Sequence, residues 1–300
     1  VSAVQAFSMG LSGYDPARFN FAGQGDNPIY SGMYEAAALS TGASLAAAEM
    51  VANREVDAAF SISGGLHHAS AGHASGFCVF NDPVIAINSL LAQGMRVAYV
   101  DIDCHHGDGV QHAFYDTDAV LTISMHESGE FLFPGTGFTQ EIGVGRGRGY
   151  SVNVPLYPYT GDDTYLWALR EVIPPLVEAF QPDVLVTQLG IDAHFLDPIT
   201  HLALTAQGFA EAVACLSLVP KWLALGGGGY NLHAVARAWA MAYGIMINQS
   251  FPDDIPLAYR EKHGVVSLRD QEGPRIDSQM AKDTQAFAES SVQAIHRLIF

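Results

Sequence analysis

Short apolar runs rich in Val, Ile and Leu recur at residues 58–63, 96–100, 120–124, 151–154, 184–188 and 222–225. Continuous runs of this kind predict strands buried on both faces, since a half-exposed strand would alternate apolar and polar positions. Stretches of helical length lie between them, predicting helices over 31–53, 83–93, 162–180, 205–218, 233–247 and 282–299. Asp162 and Thr205 are short polar residues ahead of an apolar pattern and are read as helix starts. Pro174 and Pro175 are expected to kink or split the helix over 162–180. Strands alternating with helices predict an α/β fold, an open and mainly parallel sheet with helices on both faces. No repeat, low-complexity segment or linker interrupts the pattern, so one domain is expected over 1–300.

In open sheets of this kind, ligands bind beyond the carboxyl ends of the strands. The polar clusters fall there. The run 58–63 leads into "GGLHH", 96–100 into "DIDCHHGDG", 184–188 into "LGID" and 222–225 into "GGGGYN". Four strands thus deliver polar groups to one rim.

Composition narrows what that rim can serve. Across 300 residues, 49% are hydrophobic and 15% charged, which supports a compact core rather than disorder. A formal charge of −17 would repel a phosphate backbone or an anionic membrane, arguing against nucleic acid or membrane as a partner. Cys78, Cys104 and Cys215 show no paired spacing and sit in apolar stretches, as buried thiols in a reducing compartment would, and the cytoplasm is the expected location. No secretion signal is seen at the start, and no uninterrupted apolar run reaches about 18 residues. The chain begins with Val1 rather than Met, so its start is read as trimmed or incomplete.

In Asp101-x-Asp103-x-His105, alternate residues project to one side, so Asp103 and His105 can address one ion. Asp192, at the end of another strand, would supply a third ligand. One histidine and two carboxylates leave a coordination position open, as a catalytic metal requires, and suit Zn(II), Fe(II) or Co(II). The competing reading makes Asp101 and Asp108 caps of a helix or turn and the histidines core residues. The density of ionisable groups after an apolar strand favours the metal. His67 and His68 follow a Gly-Gly turn and can pass a proton if a carboxylate holds the other ring nitrogen, with Asp101 and Asp108 available. "LGGGGYN" lacks the lysine and spacing of a phosphate loop. Tyr230, on that thin loop, can instead donate to a developing oxyanion. Phe77 and Phe133 suit either core packing or the two walls of a slot for an alkyl chain.

Together these residues resemble the histone deacetylase family, in particular its bacterial acetoin-utilisation branch. The matching stretches are "GGLHHASAGHASGFCVFND", "VDIDCHHGDGVQHAFYDTD", "HESGEFLFPGTG", "QLGIDAHFLDP" and "LGGGGYN", and the likeness runs from about Tyr30 to about Tyr243. The resemblance implies the arginase-deacetylase fold. It makes Asp103, His105 and Asp192 the metal ligands and His68 the proton-transferring histidine beside His67, with Asp101 and Asp108 as their partners. It makes Tyr230 the carbonyl-polarising tyrosine, and Gly76, Phe77 and Phe133 the lining of an acyl-lysine tunnel. It also implies potassium, one ion held by oxygens of Asp101, Asp103, His105, Ser124 and Met125 and a second by those of Phe114, Thr117, Val120 and Tyr150. The family's first strand, a helix and part of the rim are expected ahead of residues 1–27, so the chain is read as a deacetylase domain lacking them.

The function expected is zinc-dependent hydrolysis, with iron as an alternative metal, of N-acetyl-lysine on a metabolic protein, with an acetyl-CoA-forming synthetase one candidate partner. Acetylpolyamines or other small amides are alternative substrates. An arginase-like two-metal ureohydrolase and a non-catalytic acyl-lysine binding module are the rival readings.

Overall fold

A computed structural model describes residues 1–21 and 25–299. Among these, six strands form one sheet: β1 Ala58–Ser61, β2 Val97–Asp101, β3 Val120–Glu127, β4 Ser151–Leu156, β5 Val184–Gln188 and β6 Trp222–Leu225. Their order is β1-β6-β5-β2-β3-β4, and every pairing is parallel. The helices are α1 Ser2–Ser8, α2 Met33–Ala52, α3 Asp82–Ala92, α4 Asp108–Ala113, α5 Asp162–Phe180, α6 Ala206–Cys215, α7 Leu232–Met246, α8 Leu257–His263 and α9 Ser278–Leu298.

Alternate residues of each strand face opposite layers, which is why the strands read as unbroken apolar runs. Val97, Tyr99, Val186 and Leu223 pack with Val51 of α2 and Ile87 and Leu90 of α3. Ala98, Val100, Leu185 and Ala224 pack with Leu169 of α5, Phe209 of α6, Ala238 of α7 and Val292 of α9. The chain runs outward from β2 through β3 to β4, then returns to the other side of β2 as β5 and continues to β6. Connections leaving β2 and β5 therefore diverge, opening a crevice over their carboxyl ends, where Asp101 is the register partner of Gln188.

Several expectations are corrected. β1 is shorter than 58–63, ending at Ser61, whereas β3 and β4 run past 124 and 154 to Glu127 and Leu156. His126 and Glu127 look like loop residues in sequence but are buried in the strand, where His126 Nε2 lies 3.0 Å from the Gly137 carbonyl. α5 continues through Pro174 and Pro175. The carbonyls that lose their donors belong to Arg170 and Glu171, both exposed to water, while Leu169, Val172, Ile173 and Leu176 stay buried and hold the helix together. Gly161, not Asp162, is the N-cap of α5; Asp162 accepts instead from the amide and hydroxyl of Thr205, which caps α6 as expected. α6 stops at Cys215, and α9 starts earlier than 282 because Asp277 caps it. α1, α4 and α8, each under eight residues, were not anticipated.

Asp270 ties the segment after α8 to this framework. It accepts from His194 Nε2 at 2.9 Å, the Ala206 amide at 2.6 Å and Arg237 Nη2 at 2.8 Å. Burial would raise its pKa, but His194, the Ala206 amide and Arg237 outweigh that and hold it at about 2. A carboxylate depressed below its unfolded value of about 3.9 stabilises the fold above that pH, and the contribution fades as pH falls through about 2. Asp270→Asn should destabilise the protein by about 2 kcal/mol in urea unfolding at pH 7. The wild-type advantage should shrink between about pH 4 and pH 2; an unchanged midpoint in the variant would show that the cluster is structurally idle.

Candidate active site

The chain leaves β2 at Asp101 and crosses the mouth of the crevice with Asp103 and His105, and the turn after β5 brings Asp192 to meet them. His105 Nδ1 lies 3.1 Å from Asp103 Oδ1 and 2.8 Å from Asp192 Oδ2. The remaining oxygens are held by the protein. Asp103 Oδ2 accepts from Gln188 Nε2 at 2.7 Å and the Gly228 amide at 2.8 Å, and Asp192 Oδ1 accepts from the Cys104 amide at 2.7 Å. A Cβ on Gly228 would collide with Asp192 Oδ2, so only glycine lets the backbone amide reach Asp103 here. All three side chains are buried, and they form the single group of this kind among the described residues.

The electrostatics of this cluster call for a cation. Burial, and then the neighbouring Asp103 charge, push Asp192 up to about 7. Burial opposes a charge on His105, yet Asp192 and Asp103 outweigh it and carry that imidazole up to about 11. A proton is thus drawn to the point where three ligand atoms converge. A divalent ion there would neutralise both carboxylates, and ligand atoms about 2 Å from a tetrahedral ion lie about 3.3 Å apart, near the separations observed. One nitrogen and two oxygens fit Zn(II), Fe(II) or Co(II).

Beside it stands the histidine relay. His67 Nδ1 is 2.7 Å from Asp101 Oδ2, His68 Nδ1 is 2.7 Å from Asp108 Oδ1, and the two Nε2 atoms are 3.1 Å apart. The loop carrying them is fixed from below. Asp82 accepts from the Gly65 and Leu66 amides, and Asn81 Nδ2 donates to the carbonyls of His67 and Ala69. The two imidazoles differ in charge. For His67, burial is outweighed by Asp101 and Asp103, then Asp108, raising it to about 9. For His68, burial and the adjacent His67 charge outweigh Asp108 and lower it to about 4.

Both histidines, Asp103 and His105 open onto a cavity of about 260 Å³ that Gly76, Phe77, Phe133 and Tyr230 also line. The ring centroids of His68 and Phe133 are 5.1 Å apart, and those of Phe77 and Tyr230 6.0 Å. Gly76 has φ +47°, and a Cβ there would stand 2.5 Å from His68 Cδ2. Burial, then Asp103 and Asp192, push Tyr230 well above the ordinary tyrosine range, so its hydroxyl stays a donor.

The residues implied for potassium form two groups, the first of which shares Asp103 and His105 with the cavity wall. Asp101, the last residue of β2, is the register partner of Ser124 within β3, next to Met125. At the opposite end of β3, Val120 starts the strand, the Thr117 amide donates to the Phe114 carbonyl, and the Tyr150 carbonyl accepts from the Thr122 amide.

Sequence reasoning missed Gln188, Asp82 and Asn81, which hold the ligands and relay, and Asp26, Leu132, Cys78 and Ile199, which line the cavity. Gln188 at the end of a predicted strand pointing into a carboxylate cluster was the one signal present.

An all-parallel sheet with an Asp–His–Asp centre at its switch point and a doubled carboxylate–histidine relay beside it defines a protein of the arginase-deacetylase fold. The family described as "Histone deacetylase domain" matches residues 3–246, and the chain belongs to the histone deacetylase family. It is 44% identical over 248 residues to the acetoin utilization protein AcuC of Bacillus subtilis (strain 168), covering 79% of this chain and 64% of that protein. It is 43% identical over 232 residues to histone deacetylase 1 of Homo sapiens, covering 77% of this chain and 48% of that one. The chain thus spans 48% to 64% of the length of these relatives. Among solved structures, it is similar to an HDAC homolog complexed with SAHA, with TM-score 0.85, 31% identity and coverage of 96% of this chain and 83% of that one. An HDAC homolog from Aquifex aeolicus matches with TM-score 0.84 and 30% identity over the same shares.

Because Gln188 holds Asp103 from behind, Gln188→Leu should weaken metal binding by about 10- to 100-fold with the fold intact. Competition with a chromophoric chelator measures this directly, and wild-type affinity in the variant would remove Gln188 from the centre.

Proposed function

We propose that the chain is a metal-dependent deacetylase that hydrolyses the N-acetyl amide of lysine side chains in proteins. The observation that carries this reading is the shared cavity. Asp103 and His105 of the three-ligand cluster, the His67–His68 pair and Tyr230 all line one cavity, a slot bounded by Phe77 and Phe133. Such a slot suits a linear aliphatic chain ending in a small amide. A divalent ion held by Asp103, His105 and Asp192 would supply Lewis acidity at the amide carbonyl and lower the pKa of water.

The chain's own groups do the rest. His68, neutral near pH 7 and oriented by Asp108, accepts the water proton at Nε2 and returns it to the leaving nitrogen. His67, held charged by Asp101, places a positive charge beside the reacting centre. The Tyr230 hydroxyl donates to the oxyanion as it develops. Phe77 and Phe133 exclude water around the acyl chain, strengthening each of these interactions.

A single metal cluster among the described residues favours amide hydrolysis with one ion over a two-metal ureohydrolase. The complete relay favours an enzyme over an acyl-lysine binding module. The name of one relative, an acetoin utilization protein, is consistent with a metabolic protein as substrate, for which an acetyl-CoA-forming synthetase is our candidate. One nitrogen and two oxygens suit Zn(II), and the family resemblance implies potassium at the two groups described above. No helix among the described residues is long and apolar enough to cross a membrane. The three free cysteines support the cytoplasmic location we propose.

Metal analysis alongside hydrolysis of an acetyl-lysine peptide tests the reading. One transition metal per chain with turnover, and loss of both in Asp192→Ala, is the expected result; two metals per chain, or metal without hydrolysis, would overturn it. Tyr230→Phe should keep its metal and lower kcat by about 10²- to 10³-fold. Undiminished turnover there would remove the tyrosine from the mechanism.

A further inference from the structure

The mechanism above needs the Tyr230 hydroxyl at a fixed point, yet the tyrosine sits on a glycine loop that gives it little support of its own. Gly227 and Gly229, with φ +148° and +152°, lie in backbone conformations that few other residues adopt. Tyr230 is 37% exposed, and Phe77 is its aromatic neighbour. What fixes the loop lies across the crevice, in the segment after Asp192. There Asp197 is buried, and its Oδ2 accepts from the Tyr230 amide at 2.8 Å. Its other oxygen accepts from the Ile199 amide at 3.1 Å. Next to it, the Leu196 carbonyl accepts from Asn231 Nδ2 at 3.2 Å, while Asn231 also caps α7.

The segment presenting Asp197 is itself anchored twice. The Thr200 hydroxyl donates to the Asp192 carbonyl. The His201 amide donates to Glu127 Oε2 at 2.9 Å, and His201 Nδ1 lies 2.9 Å from Glu127 Oε1. Glu127 is the last residue of β3 and is buried, so the anchor point belongs to the sheet. A continuous set of contacts therefore runs from the sheet, through this segment, to the backbone of Tyr230.

We infer that Asp197 is a positioning residue for Tyr230, setting the loop so that the hydroxyl meets the substrate oxyanion. This inference rests on the deacetylase reading and deepens it. Asp197 touches neither the metal ligands nor the reacting atoms in this arrangement, so its effect passes through the tyrosine. Misplacing a reacting group by about 1 Å costs on the order of 10²-fold in rate.

Asp197→Ala should lower kcat by about 10- to 100-fold, with KM within about twofold and metal stoichiometry unchanged. Asp197→Asn, which keeps one acceptor oxygen, should recover most of that loss. The decisive comparison repeats both substitutions in a Tyr230→Phe background. With the hydroxyl already gone, neither should reduce kcat by more than about twofold, since coupled residues are strongly non-additive. An equal loss in both backgrounds, or a loss of metal, would overturn the inference by placing the effect on Asp192 or the fold. Should Asp197→Ala not fold, Asp197→Leu, which fills the site but offers no acceptor, carries the same cycle.

Hydrogen exchange at the Tyr230 amide reads the contact without turnover. Exchange should quicken by about tenfold or more in Asp197→Ala, or in Asp197→Leu if only that variant folds, and stay near the wild-type rate in Asp197→Asn. Unaltered exchange would overturn the inference even in a protein that proved inactive. Inactivity of the wild type with this protection intact would instead count against the deacetylase reading alone.

Discussion

Asp103 and Asp192 bring two carboxylates to the same nitrogen of His105 from two different strands, with almost no exposure to water. Buried like charges are costly by several kcal/mol per ion unless a cation or donors compensate. The surrounding structure supplies the donors: Gln188 and Gly228 for one carboxylate and Cys104 for the other. Among the described residues, the ion-pair partners of these two carboxylates are histidines, not lysine or arginine. A divalent cation would supply the missing counter-charge, and the sheet order makes the arrangement reachable. β2 and β5 are neighbours although β3 and β4 lie between them in sequence, so residues 103 and 192 meet.

The same electrostatic constraint separates two residues of one type. His67 and His68 are adjacent, each with a carboxylate at 2.7 Å, yet they are pushed in opposite directions. His67 lies nearer the carboxylates of the metal cluster, with Nε2 3.9 Å from Asp103 Oδ1, and takes the charge. Once it is charged, a second cation 3.1 Å away is disfavoured, so His68 remains a base. Two adjacent histidines with like carboxylate partners are thus set apart by position alone, one favouring the charged form and the other the neutral form.

How much of this was legible in sequence follows from where each signal resides. β5 and β6 are continuous apolar runs bounded by polar residues, and their limits at 184–188 and 222–225 are those observed. β3 was read as too short because its last residues, His126 and Glu127, are polar; their burial depends on partners at Gly137 and His201, far along the chain. α1, α4 and α8 are too short to display a helical period. The grouping of Asp103, His105 and Asp192, and the pairing of His67 and His68 with Asp101 and Asp108, were legible because ionisable residues beside an apolar strand are chemically conspicuous. Leu132 and Ile199 were not, since an apolar cavity wall has the composition of any core.

The support of the site was the least legible part, and the reason is physical. Asp82, Asn81, Gln188 and Glu127 act on backbone amides, backbone carbonyls or a single side-chain oxygen, contacts that any polar residue can make. Nothing in their identity marks the partner; only the fold chooses it. Each is buried, and each would be a burden to stability if left unpaired. Burying them beside the reactive cluster makes the position of every functional group depend on the whole sheet. The loops at its carboxyl edge, glycine-rich and weakly packed by themselves, acquire from these buried partners the fixed geometry that chemistry at a metal requires.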